Sequence, residues 1–259
     1  MSTVLPRVNI LGVGVTAMSM EVALQESEAL LDRGGRGYVC VTGVHGIMEA
    51  QSDEQFRNIL NSSFLTTPDG MPTVWLGHLA GYKDMTRVYG PDYMLGFCER
   101  SVAKGYKHYF YGGKEGVAAE LKAALTMKFP GLQVVGTYCP PFRPLNEQEE
   151  ADLKAQLKIL KPDVLWCGLS TPKQERFMFA YANNLPVNMM VGVGAAFDLL
   201  SGNLDEAPTW MKKTGLQWLY RMIKEPKRLW RRYLTNNPKF VWATFLQLTH
   251  LKQFDIERG

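Results

Sequence analysis

The sequence predicts an α/β fold, a mostly parallel sheet with helices on both faces, followed by an all-helical appendage. Three observations predict it. Short β-branched runs alternate with helical patterns from the N-terminus to about residue 200. The runs are separated by helical stretches of roughly 10–15 residues, long enough for right-handed crossovers between parallel strands. After Gly202 the alternation stops and only helical patterns follow. With 46% hydrophobic and 21% charged residues among 259, the chain can bury a sizeable core, which excludes a disordered or low-complexity protein.

The elements follow in order. Residues 8–15 read as a strand, and 18–31 as a helix with Met18, Val22, Leu30 and Leu31 at helical spacing. A strand at 38–42, a helix at 52–62 and a short strand at 64–67 lead into Pro68-Asp69-Gly70. Helices are expected at 93–103, 117–128, 147–160 and 172–183, and strands at 108–111, 133–137, 164–167 and 188–193. The result is a Rossmann-like body of residues 1–202. The appendage, residues 203–259, holds helical patterns at 211–223, 226–235 and 240–254. Pro226 stops the first of these and suits the opening turn of the next. This division predicts that the body folds without the appendage.

The longest largely apolar stretch, 187–200, is about 14 residues, short of the roughly 18 that span a bilayer. The first residues show no positive segment followed by an apolar one, so no secretory leader is expected. Cys40, Cys98, Cys139 and Cys167 lie far apart without a CxxC pair, and three sit in or beside apolar runs. Buried thiols in a reducing, cytoplasmic setting are expected, with no metal site. The net charge of +4 hides an asymmetry. Between Met211 and Lys239 stand nine basic residues and one acid, Glu225, a balance of +8, so the rest sums to −4. Trp210, Trp218, Trp230 and Trp242 lie in or beside that stretch, which suits a phosphate-rich ligand or an anionic membrane surface.

In open α/β sheets ligands gather at the carboxyl ends of strands. Gly12-Val-Gly14-Val-Thr-Ala17 satisfies a loose dinucleotide pattern, but the second strand ends in Val41-Thr42-Gly43-Val44-His45 without the acid that would hold a ribose. A tight strand–helix turn is therefore expected rather than a nicotinamide or flavin site, and no cofactor. Asp69 leaves a strand end, where a carboxylate can take a proton from a hydroxyl nucleophile. Thr42, Gly43 and His45 bring a hydroxyl, a glycine and an imidazole to the same edge. The turns at Gly112-Gly113 and Gly192-Val-Gly194 offer backbone N–H groups suited to phosphate. No GxxxxGK(S/T) and no Asp-x-Asp triplet is present, which favours cationic side chains for neutralising a diphosphate. Arg221, Arg228 and Arg231 supply such cations, and Lys173-Gln174-Glu175-Arg176 opens a helix at the ligand edge.

Six segments in this order resemble the WecG/TagA/CpsF glycosyltransferases (family 26). They are Val41-Thr-Gly-Val-His-Gly-Ile-Met-Glu-Ala50, Thr67-Pro-Asp-Gly-Met-Pro72, Arg87-Val-Tyr-Gly-Pro-Asp92, Leu169-Ser-Thr-Pro-Lys-Gln-Glu175, Gly192-Val-Gly-Ala-Ala-Phe-Asp198, and Gly215-Leu-Gln-Trp-Leu-Tyr-Arg221 running on through Glu225-Pro-Lys-Arg-Leu229. The resemblance implies an inverting, metal-independent transferase. It would move a sugar from a UDP-sugar to a lipid-linked polyprenyl diphosphate acceptor, for bacterial cell-surface polysaccharide or teichoic-acid linkage, on the inner face of the cytoplasmic membrane. It implies Asp69 as base, and Thr42, His45, Arg87 and Gln174 near the sugars. Arg221, Arg228 and Arg231 would fold over the diphosphate. Many relatives have Asn where Gly43 stands, and Glu where Gln217 stands.

Lys212, Lys213, Lys227, Arg232 and Lys239, with Trp230 and Trp242, are expected to meet anionic lipid. No nucleic-acid partner is expected, and homo-oligomerisation stays open. The alternative reading is a non-catalytic, membrane-associated adaptor that binds a sugar nucleotide.

Overall fold

The computed structural model describes residues 5–256, so Met1–Val4, part of the segment read for a leader, lie outside the described residues. The elements run β1 (Arg7–Ile10), β2 (Val13–Thr16), α1 (Met20–Asp32), β3 (Gly37–Thr42), α2 (Val44–Glu49), α3 (Glu54–Asn61), β4 (Leu65–Pro68) and α4 (Met71–Leu79). Then come α5 (Gly90–Lys104), β5 (Lys107–Gly112), α6 (Val117–Lys128), β6 (Gln133–Tyr138), α7 (Glu147–Leu160), β7 (Val164–Gly168), α8 (Lys173–Tyr181), β8 (Met189–Gly192) and α9 (Ala196–Leu200). The chain ends in α10 (Thr209–Lys213), α11 (Gln217–Lys224) and α12 (Pro226–Leu248). β1 and β2 form a separate antiparallel pair. The six other strands form one parallel sheet in the order β4-β3-β8-β7-β5-β6, the α/β architecture expected from the alternation.

The chain divides into two compact units, one of residues 1–20, 41–89 and 206–259, the other of residues 21–40 and 90–205. The line drawn on the sequence at 202/203 follows the end of the strand–helix alternation, whereas the compact units follow packing. In the first unit α12 packs on α2. The Gln247 amide accepts from the backbone N–H of Leu11 (3.0 Å) and donates to the Asn9 carbonyl (2.9 Å). A chain cut at 203 would remove the Gln247 partner of those β1–β2 groups and hand them to water.

Residues 8–15 are two strands rather than one. Leu11 and Gly12 adopt positive φ (54° and 80°) and turn the chain back on itself. The Asn61 amide holds both arms, accepting from Gly14 N–H and donating to the Gly12 carbonyl, each at 2.9 Å. The glycine pattern thus serves a hairpin, not the strand–helix turn expected there. The expected pair of helices at 226–235 and 240–254 is the single helix α12, which runs through Pro238. Proline removes one N–H, but Pro238 and Leu234, whose carbonyl loses its partner, are both exposed, so water meets that carbonyl. Conversely 211–223 breaks at Gly215 (φ +77°), whose added Cβ would lie 3.1 Å from Trp75 and 3.3 Å from Met71.

The second unit carries the aromatic core. Trp166 is fully buried and donates its indole N–H to His108 Nδ1 at 2.9 Å, with Phe97 and Tyr93 edge-on against it. Burial pushes His108 down to about 3, so it stays neutral there. Cys40, Cys98 and Cys167 are buried thiols, while Cys139 is exposed.

Candidate active site

In the first unit, Asp69 leaves the end of β4 and its backbone N–H donates to the Thr42 carbonyl at 3.0 Å. Gly70, with φ 105°, turns the chain into α4, and the Thr73 hydroxyl donates to the Gly70 carbonyl at 2.8 Å. A Cβ at Gly43 would stand 2.5 Å from the Asp69 carbonyl oxygen, so the absence of a side chain there is what lets this turn approach β3. The φ of Gly43, −111°, is open to any residue, so the requirement is purely steric.

Three cationic and aromatic groups surround the carboxylate. Arg87 Nε lies 3.6 Å from Asp69 Oδ1, with Arg87 14% and Asp69 32% exposed. The guanidinium rests 4.1 Å over the Tyr89 ring and donates through Nη2 to Gln217 Oε1 on α11. Arg221, also on α11, acts on Asp69 through space. Burial raises the Asp69 carboxyl above the usual carboxylate range, while the charges of Arg87 and Arg221 pull part of that rise back. A carboxylate so placed can accept a proton from a hydroxyl. Tyr89 is buried with a hydroxyl that has no partner, and burial with the nearby Asp69 charge lifts its phenol.

The positions singled out on the sequence fall as follows. Thr42 ends β3 and is buried. His45 opens α2, its Nδ1 3.2 Å from the Asn236 amide of α12. Asp69, Arg87 and Arg221 come together, with Thr42 joined through its backbone. Arg228 pairs with Glu225 at 2.5 Å, and Arg221 stands 3.9 Å from the same carboxylate. Glu225 thus holds the charge of two arginines that an anion would compete for. Arg231 is exposed and lies over its neighbour Trp230, 5.3 Å from the ring.

Arg232, expected at an outer surface, is instead half-buried, and the arginines Arg228 and Arg221 and the phenol of Tyr233 act on it. Lys212 likewise turns to Glu206 at 2.9 Å, 6.0 Å from the Tyr89 ring. Arg232 on α12 and Lys212 on α10 thus both belong to the same charged neighbourhood. Sequence reasoning missed Tyr89 and Tyr233. Tyr89 could have been found, since it follows Arg87 by two residues, the spacing that puts extended side chains on one side.

The remaining sequence candidates lie in the second unit. Gln174, 3% exposed, opens α8; its Oε1 accepts from Gly194 N–H and its Nε2 donates to Glu175, each at 3.0 Å. Glu175 is buried, also accepts from the Thr171 hydroxyl at 2.8 Å, and keeps one oxygen without a partner. Burial raises its carboxyl. Gly112 (φ 122°) ends β5, where a Cβ would meet the Gly168 backbone at 2.7 Å, so close strand pairing already accounts for this glycine. Gly194, with φ +53°, follows β8. No three His, Cys, Asp or Glu side chains converge into a metal-ligand set among the described residues.

The glycosyl transferase WecG/TagA/CpsF family model matches residues 8–253 of the chain. Among curated proteins, the chain is 30% identical over 213 residues to an N-acetylglucosaminyldiphosphoundecaprenol N-acetyl-beta-D-mannosaminyltransferase of Bacillus spizizenii strain W23. That match covers 82% of this chain and 80% of the relative. It is 28% identical over 205 residues to the protein of the same description from Bacillus subtilis strain 168, covering 79% and 77%.

Proposed function

The chain belongs to the glycosyl transferase WecG/TagA/CpsF family, and from that premise we propose that it transfers a sugar, with inversion, from a UDP-sugar to a lipid-diphosphate-linked acceptor. The observation that carries the reading is the Asp69 carboxylate, raised by burial and flanked by Arg87 and Arg221. Asp69 takes the proton of the acceptor hydroxyl as its oxygen attacks the anomeric carbon. The bond from that carbon to the β-phosphate oxygen breaks on the opposite face, and UDP leaves with the electron pair. Arg221 and Arg228, released from Glu225, together with Arg231 neutralise the departing diphosphate, which removes the need for a metal. In the first unit Thr42, His45 and Arg87 contact the sugars; in the second unit Gln174 and the turns at Gly112 and Gly194 offer an amide and backbone N–H groups suited to a nucleotide.

Because the two Bacillus relatives are described as N-acetylmannosaminyl transferases acting on an N-acetylglucosaminyl diphosphoundecaprenol, UDP-N-acetylmannosamine and that acceptor are the first pair to test. The product serves bacterial cell-surface polysaccharide synthesis. The enzyme works as a peripheral protein on the inner membrane face. No helix among the described residues is long and apolar enough to cross a membrane. α12 presents Trp230, Leu234, Val241, Trp242, Phe245 and Leu248 exposed, with Lys227 and Arg231 also exposed on the same side. Such a face suits the headgroup layer of an anionic bilayer.

The test is acceptor-dependent UDP release from a panel of UDP-sugars, with and without EDTA. Release that needs the lipid-linked acceptor and survives EDTA supports the reading. UDP-sugar binding without release from any donor would favour the non-catalytic adaptor.

A further inference from the structure

Two buried donors beside Asp69 have no hydrogen-bond partner among the described residues. Arg87 Nε faces Asp69 Oδ1 at 3.6 Å, an ion-pair distance too long for a hydrogen bond, and the Tyr89 hydroxyl is unpartnered as well. Tyr89 is 6% exposed. Its ring is held, but its hydroxyl is not: the Arg87 guanidinium lies 4.1 Å from the ring centre and the Lys212 ammonium 6.0 Å. Burial and the nearby Asp69 charge keep the phenol protonated, so it is a donor. A buried hydroxyl without a partner costs stability, and the packing uses only the ring, which Phe would supply equally well.

The place of that hydroxyl decides what it can bind. The Asp69 charge acts on it, and the arginine stacked on its ring is the one that faces Asp69. A ligand at this point meets a carboxylate that accepts and an O–H that donates. A phosphate oxygen would answer the donor but would lie against the Asp69 charge. A sugar hydroxyl can donate to one group and accept from the other.

We propose that Tyr89 is a substrate-binding residue that orients the acceptor sugar at Asp69, its phenol donating to an oxygen of that sugar beside the reacting hydroxyl. The inference rests on the transferase reading and adds to it the residue that aims the acceptor. The reacting oxygen gives its proton to Asp69 and spends a lone pair on the anomeric carbon, so a donor on that oxygen would weaken the attack. The Tyr89 hydroxyl therefore serves a neighbouring oxygen of the same ring. Two contacts on one sugar, one to the base and one to Tyr89, fix its orientation where one would let it turn.

The experiment is Tyr89→Phe, which removes the hydroxyl and keeps the ring under Arg87. Without ligand the variant should melt within about 2 °C of the wild type or above it, since the group removed has no partner. A larger fall would show the hydroxyl already bonded in the free protein and overturns the proposal. Kinetics use UDP-N-acetylmannosamine with N-acetylglucosaminyl diphosphoundecaprenol, or the pair that a panel of UDP-sugars shows the wild type to use. In Tyr89→Phe, kcat/KM for the acceptor should fall about tenfold. The donor KM and the acidic limb of the pH profile should hold, because Asp69 and Arg87 are untouched. A merely structural role would move all three together.

Acceptors that each lack one hydroxyl other than the reacting one complete the cycle. One of them should lose about tenfold in kcat/KM with the wild type and less than about threefold with Tyr89→Phe, because the partner of the missing hydroxyl is already gone. An unchanged acceptor kcat/KM in Tyr89→Phe, or the same hydroxyl losses in both proteins, overturns the proposal while the transferase reading stands on wild-type turnover. A loss that appears in the donor KM instead puts the hydroxyl on the donor sugar and overturns the acceptor assignment. A wild type that transfers from no UDP-sugar overturns the transferase reading, and this assignment with it.

Discussion

Replacing Arg87 with Met removes the cation nearest Asp69 while keeping an unbranched side chain of similar length. At 3.6 Å and an effective dielectric of about 20, the charge–charge energy is about 4.6 kcal/mol. The carboxylate keeps 32% of its surface open, and water screens the pair, so about 1–3 kcal/mol is the share that survives, or roughly 1–2 pH units of titration. The sign follows from the groups present. Burial pushes Asp69 up, Arg87 and Arg221 push it down, and Arg87→Met leaves Arg221 alone to oppose burial. The base then protonates at a higher pH. The assay is acceptor-dependent UDP release, with kcat/KM followed from about pH 5 to 9. The acidic limb should move up by roughly 1–2 units, with a lower plateau if Arg87 also contacts the sugars as proposed. A variant whose rate falls by one factor at every pH, its limb unmoved, would refute the electrostatic link between Arg87 and Asp69.

Three further outcomes follow. Because burial leaves the folded Asp69 carboxyl above its unfolded value, the stability tied to its neutral form is present below about pH 4 and is lost as pH rises through the folded value. Asp69→Asn should therefore unfold at a higher temperature than the wild type at pH 8, with the gap closing by pH 4 in calorimetric scans. Gly43→Ala puts a methyl 2.5 Å from the Asp69 carbonyl oxygen and should cost about 1–3 kcal/mol in denaturant unfolding, with activity falling further than stability because the turn bearing Asp69 moves. Replacing exposed Trp242 and Phe245 of α12, stacked at 5.6 Å, with Ser should weaken co-sedimentation with anionic vesicles while leaving the melting temperature within about 2 °C; unchanged sedimentation would remove α12 as the membrane contact.

The sheet was legible because buried parallel strands must be apolar runs and their crossovers must be helical. Helices α6 and α7 begin and end where the pattern puts them, α7 with Asn146 and Glu149 forming a reciprocal cap. The hairpin of β1 and β2 was hidden because its two four-residue strands join through only Leu11 and Gly12, so the strand-like pattern carries straight across the turn. The single helix α12 was hidden because Pro238 is a strong stop signal that water neutralises at an exposed position. Asp69 and Arg87 stood out as charges at a strand end and in a family motif. Tyr89 and Tyr233 did not, since a buried phenol becomes meaningful only once the charges around it are in place. Arg232 was misplaced for a related reason: a run of bases on one helix does not say which of them turns inward.

The central claim is that Asp69 removes the acceptor proton. It is tested most directly by measuring turnover of Asp69→Asn on the donor and lipid-linked acceptor that the wild type uses, in protein shown by its melting curve to be folded. Loss of a positioned base predicts a kcat lower by about 10²–10⁴-fold with UDP-sugar affinity largely kept. Turnover at the wild-type rate would contradict the account.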